Sequence, residues 1–78
     1  MRKKELRLII TFHTTSDSIA FEKGCKDSGL PGRMIPVPRE LSAGCGLAWQ
    51  TEPSLRGEME ALAGKLRISP EEMAELMY

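Results

Sequence analysis

The apolar positions change their spacing along the chain, and each change marks an element. Over residues 5–13 they alternate. Leu6, Leu8, Ile10 and Phe12 fall on one face by the two-residue period of a strand, and Arg7, Ile9, Thr11 and His13 fall on the other. The first face is wholly apolar and the second mixed, so a strand is expected that packs on helices on one side and is partly open on the other. A Thr14-Thr15-Ser16-Asp17 turn follows. Ser16 suits an N-cap, because its hydroxyl can accept from the orphan amides of a first helical turn, and Asp17 suits the positive helix end. The helix is predicted over 17–28, with Ile19, Ala20, Phe21, Gly24 and Cys25 as its apolar face and Gly29 as its terminator. Gly24 weakens such a helix by roughly 1 kcal/mol relative to alanine, and its place there predicts a close approach to a strand.

Residues 32–38 read as a second strand. Pro36 has no amide to give to a ladder, which puts this strand at an edge. A loop over 39–44 leads to a third strand over 46–51, and the short connection predicts a hairpin. Glu52-Pro53-Ser54 opens a second helix, in which Leu55, Met59, Leu62, Ala63 and Leu66 follow the amphipathic spacing. Ser69, Pro70 and Glu72 then carry the signature of a capping box, with serine at the N-cap, proline at the first helical position and glutamate at the third. A third helix is predicted over 70–77. At two turns it is too short to stand alone, so it must dock on the domain or on another protomer. The order β-α-β-β-α with a helical tail predicts the α+β class: a small ferredoxin-like sandwich with helices on one face of the sheet and an extra C-terminal helix at 68–78.

Length and composition narrow the function more than the fold. The chain has 78 residues, 41% of them hydrophobic and 28% charged, which suits one domain, 1–78, with a small core. Eleven basic and eleven acidic residues cancel to a net charge of zero. No overall positive field is present to draw nucleic acid, and the short Arg2-Lys3-Lys4 run is offset by Glu5. A chain with so little net repulsion is open to self-association, and a homodimer is compatible with it. Leu8-Ile9-Ile10 is too short for a signal peptide core or a transmembrane helix, so no membrane partner and a cytoplasmic location are expected. In that compartment Cys25 and Cys45 stay reduced.

Two cysteines 20 residues apart and one histidine cannot supply a four-ligand metal site from one chain unless carboxylates join them. No cofactor loop and no acid–base pair stand out, so no cofactor and no bound metal are expected, and an independent enzyme is the least favoured reading. The residue with chemistry in reach is Cys45. Gly44 and Gly46 flank it, removing side-chain bulk and freeing the backbone, and successive amides in such a turn can cradle an anion. Arg39 adds a fixed positive charge nearby in sequence, and Ser42 a hydroxyl donor. These are the ingredients that depress a thiol pKa and make a nucleophile. On the residues alone, a small buried cysteine at the start of a strand reads equally well. His13 offers a proton donor or base at the end of the first strand, although such histidines are more often surface residues. Cys25 sits on the apolar helix face and reads as an inert buried thiol. Trp49 reads as core packing.

The segment Pro38-Arg39-Glu40-Leu41-Ser42-Ala43-Gly44-Cys45-Gly46 resembles the Pro-Arg-x-x-Ser-x-x-Cys-Gly core of the DUF3343 family, the selenium/sulfur carrier-like proteins. Phe12-His13, Thr14-Thr15-Ser16 and Glu22-Lys23 are similar to weaker family features, and the likeness runs over about residues 6–66. It implies handling of sulfur or selenium as a cysteine-bound species. By that resemblance Cys45 holds a persulfide or selenosulfide, Arg39 and Ser42 shape its surroundings, and a donor such as a cysteine desulfurase and an acceptor protein are the partners. The chain departs from the family pattern at Gly24 and Cys25, and in a Ser69-Pro70 tail that reads as more helical than usual. The alternative is a non-catalytic protein-binding or redox-regulatory module in which Cys45 is structural. A minor third reading has Cys45 and His13 meeting at a metal across a dimer.

Overall fold

The computed structural model describes residues 4–41 and 46–78. Four strands form one antiparallel sheet: β1 (Leu6–Thr11), β2 (Arg33–Pro36), β3 (Leu47–Thr51) and β4 (Glu72–Met77), in the spatial order β2-β3-β1-β4. Two helices, α1 (Thr15–Ser28) and α2 (Arg56–Leu66), complete an α+β fold, with a single 3₁₀ turn over Pro53–Leu55 leading into α2. The element order β-α-β-β-α-β is that of the ferredoxin-like motif. As expected from Pro36, β2 lies at an edge.

The tail corrects the expectation of an extra C-terminal helix at 68–78. Residues 72–77 are a strand, paired antiparallel with β1 over six positions, from Leu6↔Met77 to Thr11↔Glu72. The local sequence, Glu-Met-Ala-Glu-Leu-Met, is made of good helix formers. The Glu71 amide, between Pro70 and Glu72, donates to the Thr11 carbonyl at 2.8 Å and starts the ladder. Tertiary pairing overrides propensity here because six residues hold a helix poorly. Without β4, one side of the buried β1 would carry a row of unmatched amides and carbonyls.

Two more local expectations change. The N-cap of α1 is Thr14, not Ser16: Thr14 has extended backbone and its Oγ1 accepts from the Asp17 amide at 3.1 Å. Ile19 and Ala20 face solvent rather than the core, and Ser18, Phe21, Gly24 and Cys25 form the buried stripe. Gly24 does mark a close approach, but to α2 and not to a strand. A Cβ built there would lie 2.7 Å from Leu66 Cδ1 and 3.4 Å from Leu62 Cδ1. Gly29 terminates α1 in the left-handed conformation, as expected.

Both helices cover the same face of the sheet. Leu8 and Ile10 from β1, with Phe12 just after it, meet Trp49 from β3, Phe21 and Cys25 from α1, and Met59, Leu62 and Ala63 from α2. Phe21 sits between Phe12, with ring centroids 5.2 Å apart, and Trp49, at 6.4 Å in an edge-on arrangement that aromatic quadrupoles favour. The second face is not simply open. Ile9, Ile35 and Ala48 form a separate cluster roofed by Val37 and Leu41, with Leu76 and Tyr78 alongside. The segment after β2 therefore turns back over the face away from the helices. Among the described residues, no helix is long and apolar enough to cross a membrane.

Candidate functional site

The candidate site grows from the β2–β3 hairpin. Its last ladder pair is Pro36↔Leu47, and beyond it the Val37 amide donates to the Gly46 carbonyl at 3.1 Å. The chain then turns: Leu41 N–H donates to the Pro38 carbonyl at 3.0 Å, closing a β-turn with Arg39 and Glu40 as its exposed central residues. Pro38 is buried and Leu41 half-buried, so the turn is anchored at both ends by the apolar roof of the second face. Gly46 is exposed, with a positive φ of 76°, and a Cβ added there would meet no atom within 4 Å. Its glycine answers to backbone conformation rather than to crowding. Cys45, Ser42 and Gly44 lie outside the described residues. The described chain resumes at Gly46, directly after Cys45.

Arg39 and His13 are not brought together. His13 follows β1 at the end where Thr11 pairs with Ala48 and Glu72, and it is exposed, with Nδ1 3.6 Å from Glu71 Oε1. Gly46 lies two residues before Ala48, so the β1–β3 register brings His13 and Gly46 to the same end of the sheet. Arg39 instead lines a groove of about 460 Å³ on the second face. Its other walls come from Pro36, Val37 and Pro38, and from Lys4, Met77 and Tyr78 at the far end of the β1–β4 pair. Sequence reading missed this groove. Its signal lies in two apolar residues, Val37 near the end of the expected second strand and Leu41 in the expected loop, and in the alternation that sends Leu76 to the same face as Ile9.

Cys25 is buried, as expected. It has no exposed surface, and its thiol donates to Met59 Sδ at 3.9 Å. Burial pushes its pKa up from 9.0 to about 11, because a thiolate in this apolar cluster loses its hydration. A measurable pH effect follows. Below the ordinary value both folded and unfolded thiols are protonated and Cys25 adds no pH dependence. Between 9.0 and about 11 only the unfolded thiol ionises, so stability falls as pH rises through this window. The full loss is about 3 kcal/mol. Urea unfolding at about pH 8 and about pH 10.5 should show wild type losing more stability than Cys25→Ala, on the order of 2 kcal/mol more. Equal losses in the two proteins would show that Cys25 does not titrate this way.

The model of the family described as "Putative Se/S carrier protein-like" matches residues 7–75. No curated protein and no solved structure gives a match. The matched span begins in β1 and ends in β4, so it takes in both helices, the whole sheet core and the hairpin that carries Cys45. The chain belongs to this Se/S carrier-like family.

Proposed function

We propose that the protein is a sulfur or selenium carrier that holds the transferred atom on Cys45 as a persulfide or selenosulfide and passes it to an acceptor. The observation that carries this reading is the burial of Cys25. A carrier of this kind needs an accessible thiolate, and Cys25 is sealed between helices and sheet with its ionisation suppressed. The family's chemistry therefore falls to Cys45.

The loading step is an exchange without net oxidation. The Cys45 thiolate attacks the outer sulfur of a donor persulfide R–S–SH. A new S–S bond forms at Cys45, the donor's S–S bond breaks, and R–S⁻ leaves, giving Cys45–S–SH. Delivery repeats the step with an acceptor thiolate as nucleophile and the Cys45 thiolate as leaving group. With selenium the transferred atom is the outer selenium of R–S–SeH. In this reading Arg39 and the Ser42 hydroxyl favour the anionic forms, Gly44 and Gly46 leave the backbone amides open to them, and His13 is a proton donor to the leaving thiolate. The donor is a persulfide-forming enzyme such as a cysteine desulfurase, and the acceptor is a protein.

The test is the pH dependence of Cys45 alkylation in the folded protein on a Cys25→Ala background. Alanine is preferred to serine at position 25 because serine would bury a hydroxyl among apolar side chains. The expected result is fast labelling with a pKa well below the free-thiol value of about 8.5. Labelling that needs denaturant would overturn the carrier reading and favour a protein-binding or redox-regulatory module with a structural Cys45.

A further inference from the structure

The two edges of the sheet are closed by different means. β2 is four residues long and ends in Pro36, which has no amide to offer a further strand. β4, at the other edge, is six residues long and holds no proline. Its ladder to β1 tells which of its groups point away from the sheet. Glu5 and Tyr78 exchange both of their backbone bonds, and such pairs recur at every second residue of an antiparallel ladder. Leu76, Ala74 and Glu72 therefore bond to β1, and the amides and carbonyls of Met73, Glu75 and Met77 point outward. An outward row of this kind is a template for another strand.

One side chain lies across that row. Arg56, the first residue of α2, donates from Nη2 to the Met73 carbonyl at 3.4 Å. Its Nη1 is 3.6 Å from Glu75 Oε2, and its Nε is 3.5 Å from Glu60 Oε2 within α2. All three guanidinium nitrogens are engaged, two of them with the edge strand and one with the helix beside it. The Arg56 and Glu75 side chains are 43% and 41% exposed, so their pairing adds little to stability. Its effect is to occupy the edge.

We infer that Arg56 guards β4: laid over Met73 and Glu75, it keeps a second copy of this chain from adding to the sheet at this edge. A second copy is the occupant to be excluded because the edge is complementary to itself. Two β4 strands run antiparallel about a twofold axis at Ala74 would set Met73 opposite Glu75 and Glu72 opposite Leu76, with no like charges facing one another. The net charge of the chain is zero, so no long-range repulsion keeps copies apart. Leu6 and Met77 are partners in the β1–β4 ladder and are 47% and 57% exposed, which adds apolar surface to the edge beyond Glu75.

The test removes the guard and asks where copies meet. Arg56→Met/Glu75→Thr takes away the guanidinium, keeps an apolar stem, and removes the edge carboxylate that would lose its partner. Sedimentation equilibrium should show this protein forming a dimer about tenfold or more tightly than Glu75→Thr alone or wild type. The amides at positions 73 and 75 should gain protection from hydrogen exchange as its concentration rises. In Arg56→Met/Glu75→Pro an outward amide that β1 does not use is lost, and association should return to the wild-type level. Dimerisation of Arg56→Met/Glu75→Thr no tighter than that of Glu75→Thr overturns the guard. Concentration-dependent protection of the same two amides in wild type also overturns it, because the edge would then be open with Arg56 in place. Association without protection at 73 and 75, or undiminished in a folded proline variant, places the contact away from β4 and overturns the proposal as well.

Discussion

Gly32→Ala is expected to destabilise the protein by about 2–6 kcal/mol, the sum of a strained backbone at roughly 1–3 and overpacking at roughly 1–3. Gly32 has a φ of 144°, in a region that is essentially reserved for glycine. A Cβ there would lie 2.6 Å from the Gln50 carbonyl oxygen and 2.6 Å from Trp49 Nε1. Neither neighbour can yield. The carbonyl belongs to the β3 backbone, paired with β1 and β2, and Trp49 is 2% exposed and held edge-on against Phe21. The chain must enter β2 by passing flat over the indole, and only a residue without a side chain allows it. Urea unfolding followed by fluorescence of Trp49, the sole tryptophan, measures the effect. Gly64→Ala, within α2 where an added Cβ meets nothing within 4 Å, is the companion of opposite sign and should stabilise by about 0.5–1 kcal/mol. A loss at Gly32 below about 0.5 kcal/mol would place it among ordinary surface substitutions and refute the account.

The second large effect concerns function. Cys45→Ser should abolish loading of sulfur from a persulfide-forming donor, and Cys25→Ala should leave loading intact. A serine hydroxyl at neutral pH is almost wholly protonated and forms no persulfide, so the loss is expected to be complete rather than graded. Cys25→Ala removes a thiol that is buried and held protonated, and affects stability instead. Mass spectrometry of the protein after incubation with a cysteine desulfurase and cysteine reads the result directly, as a gain of one sulfur atom that reductant removes. Loading of Cys45→Ser to the wild-type level would move the chemistry away from Cys45. Loss of loading in both variants, with both proteins folded, would mean that the two thiols act as a pair, which the burial of Cys25 opposes.

How much was legible in the residues differs from element to element. The alternation from Leu6 to Phe12 determined β1 and its helix-facing side, because strand geometry leaves no other way to gather those side chains. Pro36 determined an edge strand, since a missing amide cannot serve a central ladder. The spacing of Met59, Leu62 and Ala63 determined α2 and its buried face. Burial of Cys25 and Trp49 was also readable, as was the motif around Cys45 that led to the family. Gly32, by contrast, reads only as the first residue of a strand until β3 is placed beneath it.

Only the tertiary structure decided the rest. Residues 72–77 favour a helix by local propensity and become a strand because β1 offers a long unmatched edge, and six ladder positions outweigh what two helical turns can hold. Gly24 signalled a close approach, yet whether to a strand or to α2 depended on both helices sharing one face. The groove of Lys4, Arg39 and Tyr78 joins the two ends of the chain to its middle, and no local pattern encodes such a meeting. Periodicity reports which way a side chain points, which is a local property of the backbone. Partners across a sheet are set by the competition of all strands for edges and all apolar faces for cover, and that is resolved only when the whole chain packs.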